Sequence, residues 1–221
     1  MKLLLTSGGI TNKSMVNELF ALAEKSAEEL SIAFIPTAAN VEEGDKGWLV
    51  DDLVILKNLK PKLLDVVDFS AVPRDIWQPR LEAADVFVFG GGNTFHLMYH
   101  IRKSGLAELL PELLKTRVYV GISAGSMVAA RTLLPPATQL LYYPDEVGDY
   151  HEENGLGFVD FYVRPHLNSP HFPKVRDEYL QELAKQVPET VYAIDDQTAI
   201  SVVDGQMKII SEGEYKIYNK K

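Results

Sequence analysis

The chain predicts an α/β fold: a doubly wound, mostly parallel sheet with helices on both faces and a C-terminal β-hairpin. Three observations carry this. Short apolar runs alternate with amphipathic stretches from residue 2 to residue 122, the pattern of successive βα units. Two of those runs, Val86–Phe89 and Val118–Ile122, end in glycine turns that lead straight into helical sequence. Near the C-terminus, Ala199–Val203 and Met207–Ile210 flank Asp204-Gly205, a hairpin signal.

Taken in order, Lys2–Ser7 reads as the first strand, because the apolar run Leu3–Leu5 is too short for a signal peptide and no small-residue cleavage pattern follows. A helix is expected around Ser14–Glu29, where Val16, Leu19, Phe20, Ala23 and Ala27 recur at helical spacing. Ser31–Pro36 is the second strand, Asp45–Leu59 a helix that stops before Pro61, and Leu63–Phe69 the third strand. Val86–Phe89 and Val118–Ile122 are the fourth and fifth, and the helices between imply right-handed crossovers. Further on, Leu140–Tyr143 and Phe158–Val163 read as short strands, Lys174–Gln186 as an amphipathic helix and Val191–Ile194 as a strand. Asp145–Gly155 is an acidic loop. No repeat or linker divides the chain, so residues 1–221 are expected to form a single domain.

Composition removes several function classes. A formal net charge of −9 opposes nucleic-acid binding, because no basic stripe is left to neutralise phosphates. No run approaches the roughly 20 apolar residues that span a bilayer. With no cysteine, disulfides, thiolate metal sites and a cysteine nucleophile are excluded together. The expectation is a cytoplasmic enzyme without metal or cofactor, with no membrane or nucleic-acid partner, as monomer or homodimer.

The chemistry concentrates in VYVGISAGSMVAAR, residues 118–131. Gly121-x-Ser123-x-Gly125 in a strand–turn–helix setting pushes a serine hydroxyl out at the tip of a sheet. A bulkier flanking residue would clash with the neighbouring strand or helix, and the helix start aims N–H groups at any oxyanion formed there. The alternative is a phosphate-type turn or a plain connection that contains a serine. The turn Gly90-Gly91-Gly92-Asn93 ends the fourth strand, so both glycine turns fall on the carboxyl edge of the sheet, where ligands collect. Amides of Gly92 and Ala124 could then clamp one oxygen. The run lacks Gly-x-Gly-x-x-Gly, against a dinucleotide loop.

A serine nucleophile needs a base and a group to orient it. Of five histidines, His96 and His100 share a helix face and read as half-buried surface, and His151 sits in the acidic loop. His166 follows a strand and Pro165, a well-placed base; His171, between two prolines, competes with it. Asp195 and Asp196 end the strand Val191–Ile194 and face opposite ways, so at most one turns to the site. Their alternative role is turn chemistry. Asp160 is a further candidate acid.

FIPTA at 34–38, FGGGNTFHL at 89–97, GISAGSMV at 121–128 and RPHL at 164–167, with AIDDQTAI at 193–200, together resemble the aspartyl dipeptidase (peptidase E) family of serine peptidases, which includes the cyanophycinases. The resemblance implies a fold related to class I glutamine amidotransferases, with Ser123 where that fold carries a cysteine. It implies Ser123 as nucleophile, His166 rather than His171 as base, and Gly92 and Ala124 as oxyanion donors. Asp196 falls where some members place a glutamate, one methylene longer; the segment RTLLPPATQLL after the nucleophile carries no acid, and a Ser-His dyad is the alternative. Arg176 in PKVR matches a substrate-clamping arginine, without the Gly-Glu-Thr that precedes it in the family. Asn93 and Arg176 are the expected substrate-binding side chains.

The expectation is therefore a serine peptidase acting on small peptides, including Asp-X dipeptides. A catalytically silent peptide-binding member of the fold, or an acyl hydrolase of the esterase kind, are the alternatives. The order Ser, His, acid speaks against the α/β-hydrolase arrangement.

Overall fold

The computed structural model describes residues 1–143 and 152–220. Its main sheet has seven strands, in the order β3 (Leu63–Val66), β2 (Ser31–Ile35), β4 (Val86–Phe89), β5 (Val118–Ile122), β1 (Lys2–Thr6), β8 (Thr198–Val203) and β9 (Gln206–Ser211). Five of these, β1 to β5, run parallel. The hairpin of β8 and β9 continues the sheet antiparallel beside β1, pairing Leu4 with Ser201. A second sheet sets β7 (Val191–Ile194) between β6 (Tyr162–Arg164) and β10 (Tyr215–Tyr218).

Strand alternation explains why helices cover both faces. Leu3, Leu5, Ala33, Ile35, Phe87 and Phe89 enter one core with Trp77 and Leu81 of α3 (Arg74–Glu82), Leu97 and Met98 of α4 (Thr94–Lys103) and Leu110 of α5 (Leu106–Leu113). The intervening Leu4, Ile32, Phe34, Val86 and Val88 enter the other, with Met15, Leu19 and Leu22 of α1 (Lys13–Ala23) and Leu56 of α2 (Gly47–Asn58). A strand buried on both faces reads as an unbroken apolar run, which is how β4 and β5 read.

Several expectations change. Leu140–Tyr143 is not a strand: Pro135 and Pro136 open helix α7 (Pro135–Tyr142), following α6 (Ala124–Met127). Proline suits a first helical turn, and Thr138, Leu141 and Tyr142 are buried at helical spacing. Phe158–Val163 shortens to β6 plus a bridge from Val159 to Ala130. The helix expected over Lys174–Gln186 contracts to α8 (Asp177–Ala184). Strand β10 has no counterpart in the sequence reading. Asp145, Glu146, Asp149 and His151 of the acidic loop lie outside the described residues.

Candidate active site

Ser123 sits where β5 gives way to α6, with φ 48° and ψ −106°. This is a conformation that costs a non-glycine residue of order 1–3 kcal/mol and persists only where packing enforces it. The enforcing contacts are visible. A Cβ on Gly121 would stand 2.6 Å from the Gly125 carbonyl, and one on Gly125 would stand 2.1 Å from the Phe89 carbonyl oxygen. Strand β4, strand β5 and helix α6 therefore approach more closely than any side chain permits. Ser126 Oγ donates to the carbonyls of Thr6 (2.7 Å) and Gly121 (2.9 Å), and the Ser123 amide donates to Thr6 O at 3.1 Å. The serine turn is thus stitched to the end of β1.

The hydroxyl of Ser123 lies 2.9 Å from His166 Nε2, and His166 Nδ1 lies 2.8 Å from Asp196 Oδ1. With the Nδ1 proton donated to the carboxylate, Nε2 is left as an acceptor for the serine proton. His166 follows β6 in a left-handed conformation, φ 65°. Its ring stacks on Phe172, with centroids 4.4 Å apart and planes 14° from parallel. Asp196 follows β7, so two strands of the small sheet deliver an imidazole and a carboxylate to a serine carried by the large one. Burial pushes the Asp196 carboxyl up, but the His166 and Ser7 hydrogen bonds and the His166 charge outweigh it, and the net shift is below the ordinary aspartate value.

The neighbouring Asp195 takes the other role open to this pair. Its Oδ1 accepts from the Gln197 amide and Thr198 Oγ1, and its Oδ2 from the Glu214 amide at 2.6 Å. Opposite orientation of adjacent strand-end residues separates turn building from the site. His171 lines the same cavity as His166, but the serine bonds His166.

Ser7 was not anticipated. At the end of β1 its Oγ donates to Asp196 Oδ1 at 2.5 Å and accepts the His166 amide at 2.7 Å. Thr11 Oγ1 donates to the Asp196 carbonyl at 2.5 Å. The only signal was a third glycine turn, Ser7-Gly8-Gly9, at the same sheet edge. A Cβ on Gly8 would stand 2.9 Å from Asp196 Cβ.

Gly92 adopts φ 121° and lines the cavity; a Cβ there would stand 2.3 Å from the Ala38 carbonyl oxygen. Its own carbonyl accepts from Tyr143 Oη at 2.9 Å. Ala124 is fully buried at the start of α6, where an N–H has no acceptor within the helix. Asn93 caps α4, its side-chain oxygen accepting from the amides of Phe95 and His96. Arg176 is held away from the cavity lining: its guanidinium donates to the carbonyls of Phe172, Val175 and Ser169 and so ties up the loop that carries Phe172. His96 and His100 lie on one face of α4 with ring centroids 4.4 Å apart and planes tilted by 56°; burial lowers both pKa values.

A cavity of about 660 Å³ opens over Ser123. Met127, Tyr142, Tyr143 and Phe172 line it together with Trp48, Asp51, Asp52 and Ile55 of α2. Among the described residues, no group of three or more His, Cys, Asp or Glu side chains is placed to hold a metal ion. No helix of the described residues is long and apolar enough to cross a membrane.

Serine, imidazole and carboxylate in hydrogen-bonded series at the carboxyl edge of an α/β sheet are the arrangement of serine-type hydrolases. The family comparison agrees and narrows it. Residues 3–210 match the model of peptidase family S51, and the chain belongs to that family: it is a serine-type peptidase. It is 29% identical to an uncharacterized peptidase of Pasteurella multocida, over 91% of this chain and 94% of that one. It is 28% identical to a probable alpha-aspartyl dipeptidase of Drosophila melanogaster, covering 88% of this chain and 78% of the relative. A crystal structure of a candidate peptidase E protein from Listeria monocytogenes superposes with a TM-score of 0.78 at 24% identity, over 96% of this chain and 98% of that one. That likeness shows the α/β fold.

Proposed function

We propose that the protein hydrolyses short peptides with Ser123 as nucleophile, His166 as general base and Asp196 as the group that orients it. The observation that carries this is the continuous series Ser123 Oγ, His166 Nε2, His166 Nδ1, Asp196 Oδ1, with links of 2.9 and 2.8 Å. Ser123 Oγ attacks the scissile carbonyl carbon while its proton passes to Nε2. The amides of Gly92 and Ala124 donate to the resulting oxyanion. The imidazolium then gives its proton to the departing amine, the C–N bond breaks, and an acyl-enzyme remains. Water, deprotonated by the same imidazole, releases the acid and restores the serine. Asp196 keeps the Nδ1 proton in place and stabilises the imidazolium; Ser7 holds Asp196.

Specificity for an N-terminal aspartate, the activity named for the Drosophila relative, has weaker support. No arginine or lysine is among the described residues that line the cavity, and Arg176 is engaged with backbone carbonyls.

The test is turnover of a dipeptide panel and labelling by a fluorophosphonate, which reports the activated serine without any peptide. Ser123→Ala is expected to lose labelling altogether, and both Ser123→Ala and His166→Ala to lose well over about 100-fold in kcat/KM. Turnover at the wild-type rate in Ser123→Ala overturns the assignment.

A further inference from the structure

Helix α2 presents Trp48, Asp51, Asp52 and Ile55 to the cavity, spacings of three, one and three residues that make a single helical face. Leu49, Leu53 and Leu56 of the same helix turn to the sheet core, while Trp48 and Asp51 of the cavity face are exposed. Asp52 is only 7% exposed and, among the described residues, has neither a hydrogen bond nor an ion pair. A buried carboxylate without a partner costs several kcal/mol, so its presence in a cavity wall calls for a ligand.

Its place relative to the chemistry is close. A Cβ built on Gly9 would lie 2.7 Å from Asp52 Oδ1 and 3.6 Å from Ile122 Cδ1, and Ile122 precedes Ser123. A Cβ built on Gly91 would lie 3.5 Å from Ser123 Cβ and 3.7 Å from the Trp48 ring. Trp48 thus stands one glycine's thickness from Ser123, and Asp52 the same from Ile122, the residue before it.

We infer that this face is a subsite for a cationic substrate group, an ammonium or guanidinium seated against Asp52 and covered by the Trp48 ring. The inference rests on the peptide-hydrolysis reading and names its substrate class: peptides that carry a positive charge next to the bond cut. A cation supplies the charge that Asp52 lacks, and an indole face 39% exposed on the same wall adds cation–π attraction. Glu42, which also lines the cavity, adds negative potential at this end. Burial and then the charge of Asp51 push the Asp52 carboxyl up to about 7. A seated cation draws that proton off.

The cation has two sources, the peptide's own α-amino group or a basic side chain. Calorimetry on the full-length Ser123→Ala protein at pH 7 distinguishes them with Ala-Ala, N-acetyl-Ala-Ala and N-acetyl-Lys-Ala. N-acetyl-Ala-Ala is expected to bind at least tenfold more weakly than the better of the other two. Preference for Ala-Ala assigns the subsite to the amino terminus; preference for N-acetyl-Lys-Ala assigns it to a side chain. In the Ser123→Ala/Asp52→Asn protein the preference is expected to vanish. The first comparison does not depend on that variant folding. Equal binding of all three probes, or a preference that survives Asp52→Asn, overturns the inference. So does failure of all three to bind, while fluorophosphonate labelling of wild-type Ser123 would still support the nucleophile on its own.

Discussion

Ser7 Oγ donates to Asp196 Oδ1 at 2.5 Å while accepting the backbone N–H of His166 at 2.7 Å. One hydroxyl at the end of the first strand thereby holds both the Asp196 carboxylate and the His166 main chain, which arrive from the other sheet. Ser7→Ala removes a hydrogen bond to a charged group, worth about 1.5–3 kcal/mol, and is expected to lower kcat about 10- to 100-fold with KM little changed. Steady-state kinetics on a good dipeptide substrate checks it. A rise in KM with kcat intact would place Ser7 in binding rather than in orientation.

Asp196→Asn keeps the shape of the side chain and reverses the hydrogen bond. An amide facing Nδ1 favours the tautomer with its proton on Nε2, which can no longer accept from Ser123. The expected loss in kcat is about 10³- to 10⁴-fold, against far less in the Ser-His dyad alternative. A pH effect follows as well. The folded-state pKa of Asp196 is depressed, so its stabilising contribution is present above the ordinary aspartate value and is lost as pH falls through the folded value. The difference in Tm between wild type and Asp196→Asn is expected to shrink as pH is lowered from 6 to 3.

Asp52 has the opposite sign. Its carboxyl is raised from 3.8 to about 7, by burial first and Asp51 second, so the folded chain holds a proton that the unfolded chain releases between those values. Stability attributable to this group is greatest below the unfolded value and declines as pH rises towards 7. Glu42, Asp196, His166 and His171 also line the cavity, so the transition is read as a difference between variant and wild type. At about 1.4 kcal/mol per pKa unit, full ionisation costs on the order of 4 kcal/mol. Asp52→Asn is expected to match wild type in Tm near pH 4 and to exceed it by several degrees at pH 8. A constant difference across that range would contradict a titrating Asp52.

Arg164 is 2% exposed; its Nη1 donates to Thr138 Oγ1 at 2.9 Å, while Nε and Nη2 have no partner among the described residues. Burial lowers its pKa, partly offset by Tyr142 and then Tyr162, whose ring lies 5.7 Å from the guanidinium carbon. Replacing a buried, poorly paired charge by an apolar side chain of similar length often stabilises by about 1–4 kcal/mol. Arg164→Met is expected to raise Tm, measured by thermal unfolding; a fall of more than a few degrees would show that the guanidinium is compensated better than its contacts indicate.

Much of this was legible in the chain. Val86–Phe89 and Val118–Ile122 read as strands with the same bounds they have in the structure, because strands buried on both faces are continuous apolar runs that glycine ends abruptly. Leu140–Tyr143 misled for a related reason: four apolar residues satisfy either period, and only the prolines at 135 and 136 marked a helix. Asp195 and Asp196 were separable in principle, since neighbours on a strand face opposite ways, but which one faced the histidine depended on where the small sheet docks.

Local order determined the turn at Ser123, since Gly121 and Gly125 are demanded by backbone contacts within one strand–turn–helix unit and its neighbour β4. It also determined the sheet edge at which the glycine turns gather, because parallel βα units put every such turn on the same side. Distances between residues far apart in the chain were decided by tertiary structure alone. Ser7, Asp52, Ser123, His166 and Asp196 come from five separate segments, and no periodicity links them. Whether an aspartate reaches an imidazole 30 residues away, or a carboxylate on α2 faces a cavity instead of solvent, is set by how sheet and helices pack. Packing depends on the summed burial of the whole core, which no single segment encodes.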